Sequence, residues 1–259
     1  MFEKEYEEIL KVIKLAEENI MKYYREGFHV EIKSDESPVT EADKTTDELI
    51  RKYLHEKFPT HAFLTEESSD DKSRLDNDYV FIVDPIDGTK DYIARDDMFT
   101  CNIALAYKHQ VVIGAVGIPA RGEVYCALKG KGAYKIEKDG TMKRIHVNDK
   151  TENLKCYISV FHQSASETAL REKHSDRITS SEKVGSSLKA CLIAEGKGEI
   201  SYRLSDGTKE WDTAAFQCVV EEAGGYVLKP DQTPITYNRE DVYNRGGYLI
   251  INNIENFLI

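Results

Sequence analysis

The chain lacks the features that would place it in several large classes. Its five cysteines, at 101, 126, 156, 191 and 218, are odd in number and none is spaced as CxxC. That argues against a disulfide framework or a cysteine metal site, and predicts buried free thiols in a reducing compartment. The seven histidines form no ligand spacing. No apolar run approaches the roughly 20 residues that a membrane span requires. The opening MFEKEYEEIL is acidic and has no apolar core, so no secretory signal is expected and the predicted location is cytoplasmic. Positive charge is scarce as well: 35 Lys and Arg face 46 Asp and Glu, for a net charge of −11. Such a surface repels nucleic acid polymers and anionic membranes, so neither is an expected partner. It would repel a small polyanion too, unless cations or helix N-termini reverse the field locally. Part of the carboxylate excess therefore reads as a metal site.

What is present suits a globular protein: 31% charged and 41% hydrophobic residues, with no repeat or low-complexity tract. Tyr6, Ile9, Leu10, Ile13, Ala16, Ile20 and Tyr23 recur at helical steps and Gly27 supplies a stop. A second helix is predicted from about Asp43 to Phe58, ended by Pro59. Strands are predicted at Tyr79–Val83, Phe99–Tyr107, Val111–Ile118 and Glu123–Leu128. Residues 1–150 thus read as helices packed on an antiparallel sheet. Residues 151–259 change to an alternating pattern. Strands are predicted at 156–161, 199–204, 226–228 and 248–251, and helices at 164–173, 187–196 and 211–223. This is the mark of an α/β half. With no flexible linker between them, the halves are expected to share one cleft.

Val83–Ile93, VDPIDGTKDYI, is the most informative segment. An apolar strand reaches Asp84, where Pro85 is expected to stop the ladder. Asp84 and Asp87 on a sharp turn can converge on one or two hard cations, with the Ile86 carbonyl between them as a third oxygen. Gly88 permits close backbone approach, and Thr89 opens a short helix whose free N–H groups suit a phosphate. A lone Asp-Pro-x-Asp-Gly is an ordinary surface turn. A buried strand running straight into DPIDGT is much less common. Taken singly, Thr65-Glu66-Glu67 reads equally as a solvated acidic loop. Asp212 in EWDTAA reads equally as a helix cap, and so does SPVTEAD around Asp43.

Together, PVTEAD, TEE, DPIDGT, VGSS and WDTAA followed by EEAGG occur in one order over roughly residues 35 to 252. This resembles the lithium-sensitive, magnesium-dependent phosphatases: inositol monophosphatases, fructose-1,6-bisphosphatases and bisphosphate nucleotidases. The resemblance implies a mixed α+β and α/β fold, a layered α-β-α-β-α sandwich. It implies two or three Mg²⁺ ions held by Glu66, Asp84, Asp87, Asp212 and the Ile86 carbonyl. Asp43 and Thr89 would orient and deprotonate the attacking water, with Glu66 also in the catalytic set. Asp87, Gly88, Thr89 and Asp212 would contact the reacting phosphate.

Three segments resemble the bacterial 3′(2′),5′-bisphosphate nucleotidases. They are Ser186-Ser187-Leu188-Lys189, Ser201-Tyr202-Arg203-Leu204, and Ser159-Val160-Phe161-His162. The resemblance implies that Ser186, Lys189 and Arg203 hold the 5′-phosphate of adenosine 3′,5′-bisphosphate, with His162 near the nucleoside. Val160 departs from the pattern, which usually has Arg there. Each residue also has a plainer reading: Lys189 as a solvated helix residue, His162 as a strand-end polar group, Arg203 as the partner of a structural acid. The expected partner is a small phosphorylated metabolite, and the expected state a monomer or homodimer. An inositol-phosphate or sugar-phosphate phosphatase is the alternative enzyme. A dead, metabolite-binding regulator is the alternative outside enzymes, disfavoured because all four metal carboxylates are present.

Overall fold

The computed structural model describes residues 1–34 and 36–259. Helix α1 (Glu3–Glu26) leads into a small hairpin of β1 (Val30–Ile32) and β2 (Pro38–Thr40), then α2 (Glu41–Lys57). A sheet follows from β3 (Ala62–Thr65) and β4 (Tyr79–Asp87), with the short helix α3 (Thr89–Ala94) after β4. The strands β5 (Thr100–Tyr107), β6 (Gln110–Ile118), β7 (Glu123–Leu128), β8 (Gly132–Ile136) and β9 (Met142–Ile145) complete it. Next come β10 (Leu154–Ile158), α4 (Ala165–Lys173), β11 (Ile178–Lys183), α5 (Leu188–Ala194) and β12 (Ile200–Arg203). The last main elements are α6 (Glu210–Glu222), β13 (Tyr226–Leu228) and β14 (Tyr248–Ile251).

The strands form a seven-stranded sheet, in order from β3 to β9, and a five-stranded sheet, β11-β10-β12-β14-β13. The seven-stranded sheet is buried on both faces. Phe81, Val83, Ile103, Leu105 and Ile113 pack with Ile9, Ile13 and Ile20 of α1 and Ile50 and Leu54 of α2. The alternate residues Val80, Ile82, Ala104, Val116 and Ile118 join Leu188 and Ile193 of α5 and Ala214 and Val219 of α6. The Tyr79–Val83 stretch of β4 is apolar because neither face of the sheet meets water there. The other side of α5 and α6 meets the second sheet through Val227, Tyr248 and Ile250, and that sheet's far face gathers Cys156, Ile200 and Ile251 with Leu170 of α4. The layers are therefore α1/α2, sheet, α5/α6, sheet, α4, as the layered sandwich requires. All five cysteines are buried free thiols.

Several boundaries differ from the sequence expectation. Pro85 does not end the ladder. Asp84 pairs with Asn102, Asp87 pairs with Thr100, and the register shifts between them. Pro85 and Ile86 occupy the irregularity, where the proline's missing N–H leaves no ladder bond broken. Helix α2 begins at Glu41 because the Thr40 hydroxyl and the Asp43 carboxylate form a reciprocal capping box around its first turn. The strand expected at 156–161 is β10, which starts at Leu154 and stops at Ile158. Residues 159–162 therefore form a loop. Strands β1, β2, β3, β8, β9 and β11 were not foreseen; all are short, and β1, β9 and β11 are mostly exposed.

Candidate active site and family membership

The parallel pairing of β3 with β4 ends at Thr65 opposite Val83, and the Glu66 amide then donates to the Val83 carbonyl. Glu66 and Asp84 thus leave the same edge of the sheet side by side. The irregularity in β4 turns Asp87 toward Asp84. Asp212 arrives from the first turn of α6, where its carboxylate accepts the Lys209 amide at 2.5 Å. One oxygen each from Asp84, Asp87 and Asp212 lies within 4.8 Å of the others.

Asp84 is 1% exposed, and its Oδ1 has no hydrogen-bond partner among the described residues. Burial, then the charges of Glu66, Asp87 and Asp212, raise its pKa well above the usual carboxylate range. Burial, then Asp87 and Glu66, push Asp212 up to about 8. An orphaned buried oxygen amid converging carboxylates is a site short of positive charge, and an all-oxygen donor set suits a hard divalent cation. The residues present therefore fit a metal.

Asp87 is held from behind. Its Oδ2 accepts the Ser187 amide at 2.7 Å, the Ser187 hydroxyl at 2.6 Å, and the side chains of Thr100 and Asn102 at 3.3 Å each. The sequence reading did not find Ser187 or Asn102 in this role. Nor did it find Lys33, whose ammonium contacts Glu66 at 3.2 Å and Glu67 at 2.5 Å. Glu66 lines the same cavity but is paired with this lysine and stands outside the three-aspartate group.

Asp43 Oδ2 accepts both the amide and the hydroxyl of Thr40, at 2.7 and 2.5 Å. Its Oδ1 meets the Thr89 hydroxyl at 3.4 Å, and the same hydroxyl lies 3.3 Å from the Ile86 carbonyl. Burial raises Asp43 to about 6. Gly88 sits between Asp87 and Thr89 with φ of 86°, a conformation costly for residues with a Cβ, and a Cβ there would approach an Asp91 carboxylate oxygen to 2.9 Å.

One cavity of about 490 Å³ takes in both Asp84, Asp87 and Asp212 and the residues expected to bind substrate: His162, Ser186, Lys189 and Arg203. The hydroxyl of Ser186 is committed to the Met98 carbonyl at 2.5 Å. Lys189 donates to the carbonyls of Ser186 and Val184, and Arg203 to that of His162 at 2.9 Å. Arg203 is thus not the partner of a structural acid. Tyr202, Phe216, Tyr248 and Ile250 give the cavity an apolar side.

The model of the inositol monophosphatase family matches residues 3–254. The chain belongs to the inositol monophosphatase family. It is a phosphatase, a hydrolase of phosphoric monoesters, and its curated relatives are of the nucleotidase kind. The 3′(2′),5′-bisphosphate nucleotidase CysQ of Escherichia coli K12 is 34% identical over 247 residues, 94% of this chain and 98% of that protein. The protein of the same name from Aggregatibacter actinomycetemcomitans is 30% identical over 248 residues, 94% of this chain and 91% of that one. The crystal structure of CysQ from Bacteroides thetaiotaomicron, a bacterial member of the family, superposes with a TM-score of 0.85 at 30% identity, covering 97% of this chain and 98% of that one. An inositol monophosphatase from Zymomonas mobilis shares the fold, with a TM-score of 0.81 at 22% identity, over 99% of this chain and 96% of that one. Among the described residues of this family member, no helix is long and apolar enough to cross a membrane.

Proposed function

We propose that this phosphatase hydrolyses the 3′-phosphate of adenosine 3′,5′-bisphosphate, giving AMP and phosphate, with magnesium at the acidic cluster. The observation that carries the reading is the polarity of the cleft. The acids Glu66, Asp84, Asp87 and Asp212 and the cations Lys189 and Arg203 line a single cavity of about 490 Å³, and we assign the acids to the reacting phosphate and the cations to a second one. A substrate with one phosphate uses only the carboxylate end. A bisphosphate uses both.

Glu66, Asp84, Asp87, Asp212 and the Ile86 carbonyl would hold the ions. Bound magnesium supplies neutralisation of the phosphoryl oxygens, a lowered pKa for the attacking water and stabilisation of the leaving alkoxide. The chain's own residues do the rest. Thr89 orients the attacking water through its hydroxyl. Asp43, whose carboxyl lies near 6, takes up the water proton at Oδ1. The water oxygen bonds to phosphorus as the ester P–O bond breaks, and the leaving 3′-oxygen ends as a hydroxyl. Gly88 and the start of α3 lie against the reacting phosphate, and Ser187 fixes the Asp87 carboxylate. At the other end a guanidinium can grip a phosphate through two parallel hydrogen bonds, and Lys189 adds a point charge. His162 stands beside the nucleoside. Because the Ser186 hydroxyl is already donated to Met98, its contribution is to shape the loop whose carbonyls hold Lys189.

The test is Arg203→Ala assayed on adenosine 3′,5′-bisphosphate and on adenosine 3′-monophosphate. Charge-assisted hydrogen bonds contribute about 1.5–3 kcal/mol each, so KM for the bisphosphate should rise roughly tenfold or more. The monophosphate should be little affected. Equal losses on both would make Arg203 structural and return the function to the inositol-phosphate or sugar-phosphate reading.

A further inference from the structure

Lys90, Lys189 and Arg203 line one cavity, and none of the ion pairs among the described residues involves any of them. Lying in the same cavity as Asp84, Asp87 and Asp212, these three cations nonetheless pair with no carboxylate among the described residues. Each is instead satisfied by a neutral group. Lys189 donates to backbone carbonyls of the loop before α5, Arg203 donates to the His162 carbonyl, and the Lys90 ammonium lies 3.4 Å from His162 Nε2.

The Lys90–His162 contact fixes the state of the ring. An ammonium has no lone pair, so the imidazole must be the acceptor, with its remaining proton on Nδ1. Burial, then the charges of Arg203, Lys90 and Lys189, hold the His162 pKa below its usual value, in keeping with a neutral ring. His162 thus takes Lys90 on its ring and Arg203 on its carbonyl, and the two cations are tied to one residue. Lys90 comes from α3, immediately after Thr89. Arg203 ends β12 in the other sheet. The three residues therefore span the cleft between the two halves of the fold.

A neutral imidazole and a carbonyl are weak partners for two full charges. An incoming anion offers more and requires the loss of no ion pair. We propose that Lys90 is a specificity-determining residue, placed by its contact with His162 to bind, alongside Arg203, the substrate's anionic group remote from the scissile bond. This rests on the two-ended reading of the cleft given above and adds a third cation to its distal end. The ligand chemistry it selects is an ester bearing a second phosphate or a comparably charged group.

Lys90 is exposed and in a solvated position, so its loss should leave the fold intact. The experiment measures kcat/KM of wild type, Lys90→Met and Lys90→Arg on two substrate pairs. One pair is adenosine 3′,5′-bisphosphate against adenosine 3′-monophosphate. The other is fructose 1,6-bisphosphate against fructose 1-phosphate. Lys90→Met should lower the bisphosphate-to-monophosphate ratio about three- to tenfold, through KM rather than kcat, as expected for a partly screened charge-assisted contact. Lys90→Arg, which keeps the charge, should preserve the ratio within about threefold. A wild-type enzyme with no preference for the adenosine bisphosphate overturns the nucleotidase reading, and the Lys90 effect is then read on the sugar pair. Ratios unchanged by Lys90→Met in both pairs overturn the Lys90 proposal. Equal losses on both members of a pair, or a fall in kcat alone, overturn it as well.

Discussion

Replacing Asp84 by Asn changes one oxygen to an amide nitrogen, yet the account expects opposite effects with and without metal. Without metal, burial and three neighbouring carboxylates keep the Asp84 pKa well above the usual range, and Asp212 titrates near 8. At pH 6 Asp212 is therefore mostly protonated and the Asp84 carboxyl is held toward its neutral form, so an amide in its place alters little. As pH rises from about 4 through about 8, the folded protein binds more protons than the unfolded chain, so its stability falls over that window. As pH rises to 9 the wild type is driven toward ionised carboxylates whose oxygens lie within 4.8 Å of each other. At an effective dielectric of about 20, a fully ionised pair at that spacing costs about 3.5 kcal/mol or more before solvent screening. Removing one charge should then stabilise the metal-free protein by about 1–3 kcal/mol after solvent and relaxation are allowed for. For a chain of this size that is roughly 2–6 °C in Tm. With magnesium at 100 times its Kd the wild type gains about 2.7 kcal/mol, and the variant should gain little. The assay is thermal denaturation of both proteins at pH 6 and pH 9, in chelator and in magnesium. Glu17, raised to about 8 by burial on the inner face of α1, adds the same pH trend to both proteins and cancels in the difference. A variant less stable than wild type at pH 9 in chelator would refute the electrostatic argument. Equal magnesium stabilisation of the two would refute the assignment of Asp84 as a ligand.

Three further outcomes follow from the same geometry. Ser187→Ala removes a 2.6 Å hydroxyl contact to Asp87 and should weaken magnesium binding about 10- to 100-fold with the amide contact retained, measured by titration calorimetry. Gly114→Ala would place a Cβ 2.0 Å from the Ala215 carbonyl of α6 and should destabilise the fold by about 2–3 kcal/mol in denaturant melts. Magnesium affinity should fall with it, because Asp212 rides on that helix. Lithium, a small hard monocation, should inhibit at limiting magnesium by competing for the oxygens of Asp87 and Asp212, and an unchanged rate would count against this donor set.

Much of the site was legible because its carboxylates lie at element boundaries that the sequence marks. YVFIV predicts a buried strand and DPIDGT follows it at once, so Asp84 and Asp87 could be named from the residues themselves, whereas Asp212, at the helix start in EWDTAA, was named only through the family resemblance. What supports them was not legible. Ser187 holds Asp87 from 100 residues away, and Lys33 pairs with Glu66 across 33. Neither has a local pattern, since each contact exists only once the layers are stacked. Lys90 was hidden differently. Beside Asp91 on a short helix it reads as a solvated charge, and only its approach to His162 distinguishes it. In the fold, the long apolar strands were predicted, while most short or exposed ones were not. Strand β11, ITSSEK, buries only Ile178. Strand β8 was masked by Lys135, which is 6% exposed and neutralised by Glu123 and Glu137 at 2.8 and 3.3 Å.

The central claim is a two-ended cleft, metal-assisted at one end and anion-selective at the other. It is tested most directly by the steady-state kcat/KM of the purified enzyme for adenosine 3′,5′-bisphosphate against inositol 1-phosphate, with and without magnesium. The account predicts magnesium-dependent phosphate release with the bisphosphate preferred by about tenfold or more, the value of one charge-assisted contact at the distal end. Equal or reversed preference would contradict the nucleotidase assignment, and hydrolysis undiminished in chelator would contradict the metal site itself.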